Sequence, residues 1–409
     1  MKKIISLLLA FTILFSVCLT GASATEDTTA PEASSEEKAA SKLRFNDDGS
    51  FKILQIADIQ DIFIFRPLTK MFLNDLLDKE NPDLVVLTGD NISPGAGFMK
   101  WMVKKSINNF MDIFEEKQVP VAIVYGNHDA ENKLTKEEQW EVYESYDCFV
   151  GVRDSEELSG YGTYYLPVIA SDSEEHKFTL WFFDSQEYNK DEEVGGYGCV
   201  EKDQIEWYIK TEKNITLENN KVIPSFAFQH IIPPEIYKLL YKITENHESG
   251  AITYFEVKGD YLEDQTITEN GITYGFPKEF ADEDTALLET PCPPKYTNGQ
   301  ADALIKYGNV LGIAVGHDHK NCFIVPYNGL DIVQTPTASF GSYGDHNRGA
   351  RVITLNEKNL STYETEMVYF SDYYDINSDE KLMDRYIFNS DGAGYTTGER
   401  IKAAFRYFF

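Results

Sequence analysis

The pair His317 and His319, closing the run VLGIAVGHDH (310–319), is the part of this chain best placed to do chemistry. In extended backbone, residues two apart point their side chains to the same side. Two imidazoles side by side, after an apolar run and Gly316, read as a pair of metal ligands. Other polar residues stand in the same relation to other apolar runs. Asp58 follows FKILQIA, Asp90 follows DLVVLTG, Asn127 and His128 follow VPVAIVYG, and His230 follows VIPSFAFQ. Each is a weak sign alone, since Gly-Asp after a strand is commonly a turn and aspartate commonly caps a helix. Together they are a strong one. Of the seven histidines in the chain, four hold such positions, whereas His176 and His247 are isolated and read as structural and His346 as surface loop. Carboxylate, carboxamide and imidazole together suit zinc, iron or manganese. There are too many ligands for one closed structural zinc site, and no Cys-x-x-Cys pair supplies thiolates.

Such ligands need a frame that gathers distant strand ends. Residues 51–58, 83–90 and 119–129 read as buried strands, with amphipathic helices at 67–80 and 99–117 between them. That alternation predicts βαβ units and a parallel sheet, and in open α/β sheets ligands bind outside the carboxyl ends of the strands. Farther on, the patterning predicts a strand pair at 163–168 and 177–184, a helix at 201–213, a strand at 222–230 and a helix from about 234 to 245. A helix at 300–308 and the strand at 310–319 follow. Short alternating segments to about 369 suggest a second, largely antiparallel sheet layer. Residues 246–296 lack sustained periodicity and read as an insertion or lid near the site mouth. The domain spans 46–370, with 371–409 as a C-terminal extension packed on it.

The N-terminus carries Lys2 and Lys3, an apolar stretch, and the small-residue site Ala22-Ser23-Ala24. This is the pattern of a cleavable secretory signal peptide over 1–24, and it predicts a secreted or extracellular protein, with cell-envelope association compatible. Residues 25–45 read as a disordered acidic spacer. No later stretch is apolar and long enough for stable membrane insertion. The formal net charge of −30 argues against nucleic acid as a bulk partner, because phosphate backbones are bound by Lys and Arg. Bound divalent cations would reconcile so acidic a chain with an anionic ligand. Beyond the leader stand Cys148, Cys199, Cys292 and Cys322, whose possible pairings remain open.

Asp58-Ile59-Gln60, Gly89-Asp90-Asn91, Gly126-Asn127-His128-Asp129, the separate His230 and Gly316-His317-Asp318-His319 resemble the calcineurin-like metallophosphoesterase family. Their order and spacing match over about residues 50–355, and the closer resemblance is to the purple acid phosphatase branch, its Dcr2-like and plant members. The resemblance implies an α/β fold, a four-layer α/β/β/α sandwich, and a binuclear centre of two divalent or trivalent ions (Fe, Zn or Mn). It implies that Asp90 bridges the two metals, that Asp58 and His319 bind one, and that Asn127, His230 and His317 bind the other. Gln60, where many members carry His, would be a weaker ligand to the first. Ser93 stands where purple acid phosphatases carry Tyr, which predicts a protein without their colour. His128 would bind phosphate or act as an acid, with Asp129 orienting its ring. The implied activity is hydrolysis of small phosphate esters by a hydroxide activated at the two metals. A phosphodiesterase or nucleotidase would use the same cluster. Gln60 and Ser93 favour a third alternative, a non-catalytic metal-binding surface protein on the same scaffold.

Overall fold

The computed structural model describes residues 43–153, 157–245, 254–255, 260–375, 377–378, 380–389 and 395–408. The expected leader and most of the expected spacer lie outside these. The last three spacer residues are not spacer at all. Leu43 and Arg44 form strand β1, and Leu43 and Phe45 are buried. Two apolar side chains with a place in the core outweigh the polar composition before them.

The first half follows the predicted βαβ order. It runs β2 (Ser50–Ile56), α1 (Pro67–Glu80), β3 (Leu84–Thr88), α2 (Lys100–Lys117), β4 (Val121–Val124) and α3 (Lys136–Glu144). Pro67 opens α1, where its missing N–H costs nothing, and left-handed Asn81 closes it. Thr135 and Glu138 form a capping box on α3. Next come β5 (Tyr164–Ile169), β6 (His176–Phe182), α4 (Lys202–Asn219) and β7 (Pro224–Phe228). The helix expected over 234–245 is only the single turn α5 (Ile236–Leu239), followed by strand β8 (Tyr241–Glu245). Its apolar residues have helical spacing, but β8 finds a pairing partner in the insertion. The described part of 246–296 carries β9 (Tyr254–Phe255), β10 (Tyr261–Glu269) and β11 (Ile272–Pro277). With β8 these make a four-stranded sheet, so the region is β structure rather than an irregular loop. After it come α6 (Gln300–Tyr307), β12 (Asn309–Val315), β13 (Phe323–Tyr327), β14 (Leu330–Gln334), β15 (Gly349–Asn356), β16 (Asn359–Tyr369), α7 (Phe370–Tyr373), α8 (Glu380–Asn389) and α9 (Thr397–Phe408).

Two large sheets carry the domain. One has the order β16-β15-β2-β3-β4, the other β1-β5-β6-β7-β12-β14-β13. The strands β2, β3 and β4 are parallel, as are β6, β7, β12 and β14. The segments after 319 do not form a sheet of their own. Strands β13 and β14 extend the seven-stranded sheet, and β15 and β16 extend the five-stranded one.

The layers follow from alternation along the strands. Phe178, Leu180 and Phe182 of β6, Phe226 and Phe228 of β7 and Ala314 of β12 join the core shared with β2, β3 and β4. Their neighbours Trp181, Ala227, Ile313 and Val315 face a second core with Trp207 and Tyr208 of α4 and Leu304 of α6. Helices α1 and α2 cover the other sheet through Leu68, Phe72, Leu76, Ile107, Phe110 and Phe114. The result is the four-layer α/β/β/α sandwich. Tyr386 of α8 packs edge-on against Phe340 and tilted against Phe370. All four cysteines beyond the leader are free thiols.

Polar bonds cross between the sheets just below their carboxyl ends. Gln55 of β2 donates from Nε2 to Val315 O of β12 at 3.0 Å and accepts from Thr335 Oγ1 at 2.7 Å. Arg351 of β15 donates to the same Thr335 hydroxyl at 3.0 Å and to Gln334 O at 3.2 Å. Ala57 bridges to Thr337.

One buried acid lies far from these strand ends. Glu212 of α4 has no exposed surface, one oxygen bonded to Thr216 and the other without a partner. Burial pushes its pKa up to about 7, against the smaller opposing effect of Thr216. The folded-state pKa is raised, so the stability this group contributes is fully present below the unfolded value and is lost as pH rises through 7. Glu212→Gln is expected to raise Tm at pH 8 by roughly 2–4 °C and leave it nearly unchanged at pH 5. Thermal unfolding followed by circular dichroism across that range checks it.

Candidate metal centre

The predicted ligands come from both sheets rather than from one edge. Asp58, Asp90 and Asn127 follow β2, β3 and β4; His230, His317 and His319 follow β7 and β12. All six are buried and converge on one place. Two groups of ligand atoms lie within 4.8 Å of one another: Asp90, His230 and His317, and Asp58, Asp90 and His319. Asp90 belongs to both.

The turns holding these side chains have unusual backbone. Asp58, Gln60, Asp90 and His317 have φ of 53°, 38°, 48° and 74°. Left-handed backbone is uncommon for residues with a Cβ and gathers at functional sites. Bonds between the turns hold it. Asp58 N donates to Gly89 O, Gln60 N to Asp90 O, and His317 N to Asp58 Oδ2 at 3.0 Å. His128 N donates to Asp90 Oδ1 at 2.8 Å. Glycine is needed where the turns touch. A Cβ on Gly126 would overlap Asp90 Oδ1, and one on Gly316 would lie 2.7 Å from Asp58 Oδ2.

Two of the three imidazoles, those of His230 and His319, are oriented by backbone carbonyls. His230 Nδ1 is 2.9 Å from Thr88 O, and His319 Nδ1 is 3.1 Å from Tyr343 O. A carbonyl only accepts, so both Nδ1 atoms carry the proton and both Nε2 atoms face inward as lone pairs. His230 Nε2 meets Asn127 Oδ1 at 3.2 Å, Asp90 Oδ1 at 3.4 Å and His317 Nδ1 at 3.2 Å. His319 Nε2 meets Asp58 Oδ1 at 3.4 Å, and that oxygen has no hydrogen-bond partner. Acceptors facing acceptors repel unless a proton or a cation lies between them. With neither metal present, protons do this. Burial opposes charge on His230, but the Asp90 carboxylate and its hydrogen bond lift its pKa to about 9. Burial opposes ionisation of Asp90, yet His230, His128 and His317 hold its pKa well below the ordinary value. The donor set and the orphaned Asp58 oxygen fit two cations of the kind bound by oxygen and imidazole.

Gln60 sits in the second group as a donor. Its Nε2 bonds Asp90 Oδ2 at 2.7 Å and lies 3.2 Å from His319 Nε2. As a ligand it would act through Oε1, which a half-turn of the carboxamide brings to the same place. Ser93 donates to the Gln60 carbonyl oxygen and takes no part in the cluster.

The expectation for Asp129 is corrected. Its carboxylate accepts from Gly126 N at 2.8 Å and Ile92 N at 3.2 Å, and none of its bonds reaches the His128 ring. Burial and the nearby Asp90 push its pKa up to about 7. It shapes the turn instead. The ring belongs to Glu131, whose Oε2 lies 2.9 Å from His128 Nδ1. A short helical turn over Asp129–Glu131 follows His128, and in such a turn residue i+3 comes beneath the ring. Tyr188 Oη donates to the other Glu131 oxygen at 2.6 Å. His128 Nε2 then points inward, 3.9 Å from Asp90 Oδ2.

Sequence reading missed Glu131 and three aromatic walls. Tyr197 packs edge-on to His317 at 4.3 Å and stacks with Tyr188 at 5.8 Å, while Tyr343 stacks on His319 at 4.1 Å. The i+3 spacing from His128 could have revealed Glu131; the tyrosines left no periodic signal. The end of the insertion reaches this region, with Glu289 accepting from Tyr343 Oη at 2.9 Å and Cys292 N donating to Asp318 at 3.1 Å.

Comparisons with known proteins identify the family of the chain. The sequence profile of the calcineurin-like phosphoesterase family matches residues 51–321. Probable inactive purple acid phosphatase 29 of Arabidopsis thaliana is 27% identical over 352 residues, covering 78% of this chain and 80% of that one. Phosphatase DCR2 of Saccharomyces cerevisiae is 25% identical over 392 residues, 85% of this chain and 60% of that one. Among solved structures, a dimetal phosphatase from Danio rerio superposes over 78% of this chain and 98% of its own with a TM-score of 0.46 and 12% identity.

Gly126→Ala tests whether the close approach of the turns matters for metal. Overpacking at such a contact costs about 1–3 kcal/mol. The variant is expected to stay folded with a lowered Tm and to hold less than half the metal of the unaltered protein, measured by elemental analysis after loading and desalting.

Proposed function

This chain belongs to the calcineurin-like phosphoesterase family, and from that premise we propose that it is a metal-dependent phosphoesterase with a binuclear centre. The observation that carries the proposal is the carboxylate of Asp90, shared by two ligand groups. His230, His317 and Asn127 would hold one ion, Asp58 and His319 the other, with Gln60 as a weaker contributor. Two such ions supply Lewis acidity toward phosphoryl oxygens and a water of lowered pKa.

The chain's own residues do the rest. His128, fixed through Nδ1 by Glu131, turns Nε2 toward the phosphoryl group, where it stabilises developing charge or protonates the leaving oxygen. Tyr188 holds Glu131 in place. Asp129 keeps the 126–128 turn in shape through the backbone N–H groups it accepts. Tyr197 closes the side next to His317. Small phosphate esters are the substrates that such a buried site accepts. The leader-like N-terminus supports secretion, and among the described residues no helix is long and apolar enough to cross a membrane.

A second reading has two observations in its favour. Gln60 is a neutral carboxamide where an imidazole would bind a transition metal more strongly, and the Arabidopsis relative is named inactive. On that reading the chain binds metal without turnover.

Turnover of p-nitrophenyl phosphate with added manganese, zinc or iron separates the two. Hydrolysis is expected with at least one of them; fully loaded protein that turns over nothing would establish the second reading. Asp90→Asn is expected to abolish activity and strip most of the metal. His128→Ala is expected to keep its metal and lose about 10²–10⁴-fold in kcat. Gln60→His is expected to lower the concentration of the second metal needed for half-maximal activity.

A further inference from the structure

Beside His128 lies a cleft that the phosphoryl chemistry leaves unused. It encloses about 460 Å³, between the Ile62-Phe63 segment, the loop 95–98 with Met102, and the turn 131–133. We propose that this cleft binds the apolar group of phosphate esters of alkyl or aryl alcohols. The inference rests on the phosphoesterase reading above and names its substrate class.

Three observations carry it. First, the cleft adjoins the site through one residue: Glu131 lines it, and the Glu131 carboxylate lies 2.9 Å from His128 Nδ1. An apolar group seated in the cleft would lie on the Glu131 side of His128. Second, its other walls are largely apolar, with Ile62, Phe63, Ala96, Phe98 and Met102, and its volume is that of a small-molecule site. Third, apolar side chains gather at its rim. Phe98 is 73% exposed, Ile64 66%, Trp101 57% and Met99 49%. A single exposed apolar residue is ordinary, but Ile64 together with Phe98, Met99 and Trp101 at the start of α2 forms a patch of the kind that marks a binding surface. Trp101, in the first turn of α2, packs edge-on against Phe63 at 6.0 Å and so joins the 62–64 segment to that helix end. Lys133 is the one cation lining the cleft. Heavily charged leaving groups, such as polyphosphates, would find little to neutralise them.

Trp101 supplies a probe, since Trp140, Trp181 and Trp207 are all buried. Methyl-, butyl- and octylphosphonate, which resist hydrolysis, are titrated into the full protein with Mn²⁺ while tryptophan fluorescence is followed. Affinity is expected to rise about three- to fourfold per added methylene until the cleft is full. Trp101→Phe should remove most of the signal. Phe98→Ser, at a position too exposed to threaten folding, should flatten the chain-length dependence. Equal affinity for the methyl and octyl compounds overturns the proposal. So does an octyl signal that is independent of Mn²⁺ and reproduced by phosphatidylcholine vesicles, which would make the patch a membrane-facing surface. Hydrolysis of the matching phosphate esters is a separate arm. Length-dependent binding without turnover of any ester counts against the phosphoesterase function and supports the ligand class of the cleft.

Discussion

The carboxamide of Gln55 lies between two sheets that meet mainly through apolar side chains. It donates to Val315 and accepts from Thr335, which Arg351 also holds. A buried amide left unpaired costs on the order of 1–3 kcal/mol, so sliding one sheet along the other is penalised at this point. Apolar contacts tolerate small shifts; fixed donors and acceptors do not. The polar clasp sets the register of the two carboxyl edges, and every ligand pair that spans the sheets depends on that register.

Above the clasp, the cluster is a place of deliberate discomfort. Four non-glycine residues take left-handed backbone, and inward-facing lone pairs are packed against each other. Neither condition lowers the energy of the metal-free chain. Both are tolerated because the surrounding layers are thick enough to impose them, with Thr88 and Tyr343 carbonyls turning the imidazoles and Thr337 bonding the Asp58 carbonyl. The preorganisation resides in the scaffold.

Much of this could be read from residue order. The six convergent candidate ligands were legible because each follows an apolar strand, and strand ends gather at one edge in α/β folds. The βαβ half was legible because its helices and strands differ in period. Three features were not. The last residues of the acidic stretch join a sheet because Leu43 and Phe45 find a core, which composition over a long window hides. The segment 241–245 is a strand because a partner strand exists some thirty residues later, and local periodicity carries no trace of that pairing. The family resemblance gave Asp129 the role of orienting His128, but the backbone turns helically there and brings Glu131 to the ring. The assignment of strands to two sheets, rather than to successive layers along the chain, is a matter of long-range pairing for the same reason.

The ligands stretch from Asp58 to His319 and are contributed by both sheets. The group of Asp90, His230 and His317 needs the span from 90 to 317, and the group of Asp58, Asp90 and His319 the span from 58 to 319. On the proposed function, a growing polypeptide therefore holds neither group complete before His317, and a pair of ions would wait until His319 has reached its place. The metals that such a centre would acquire would then be set by what is available where folding finishes, rather than where synthesis begins.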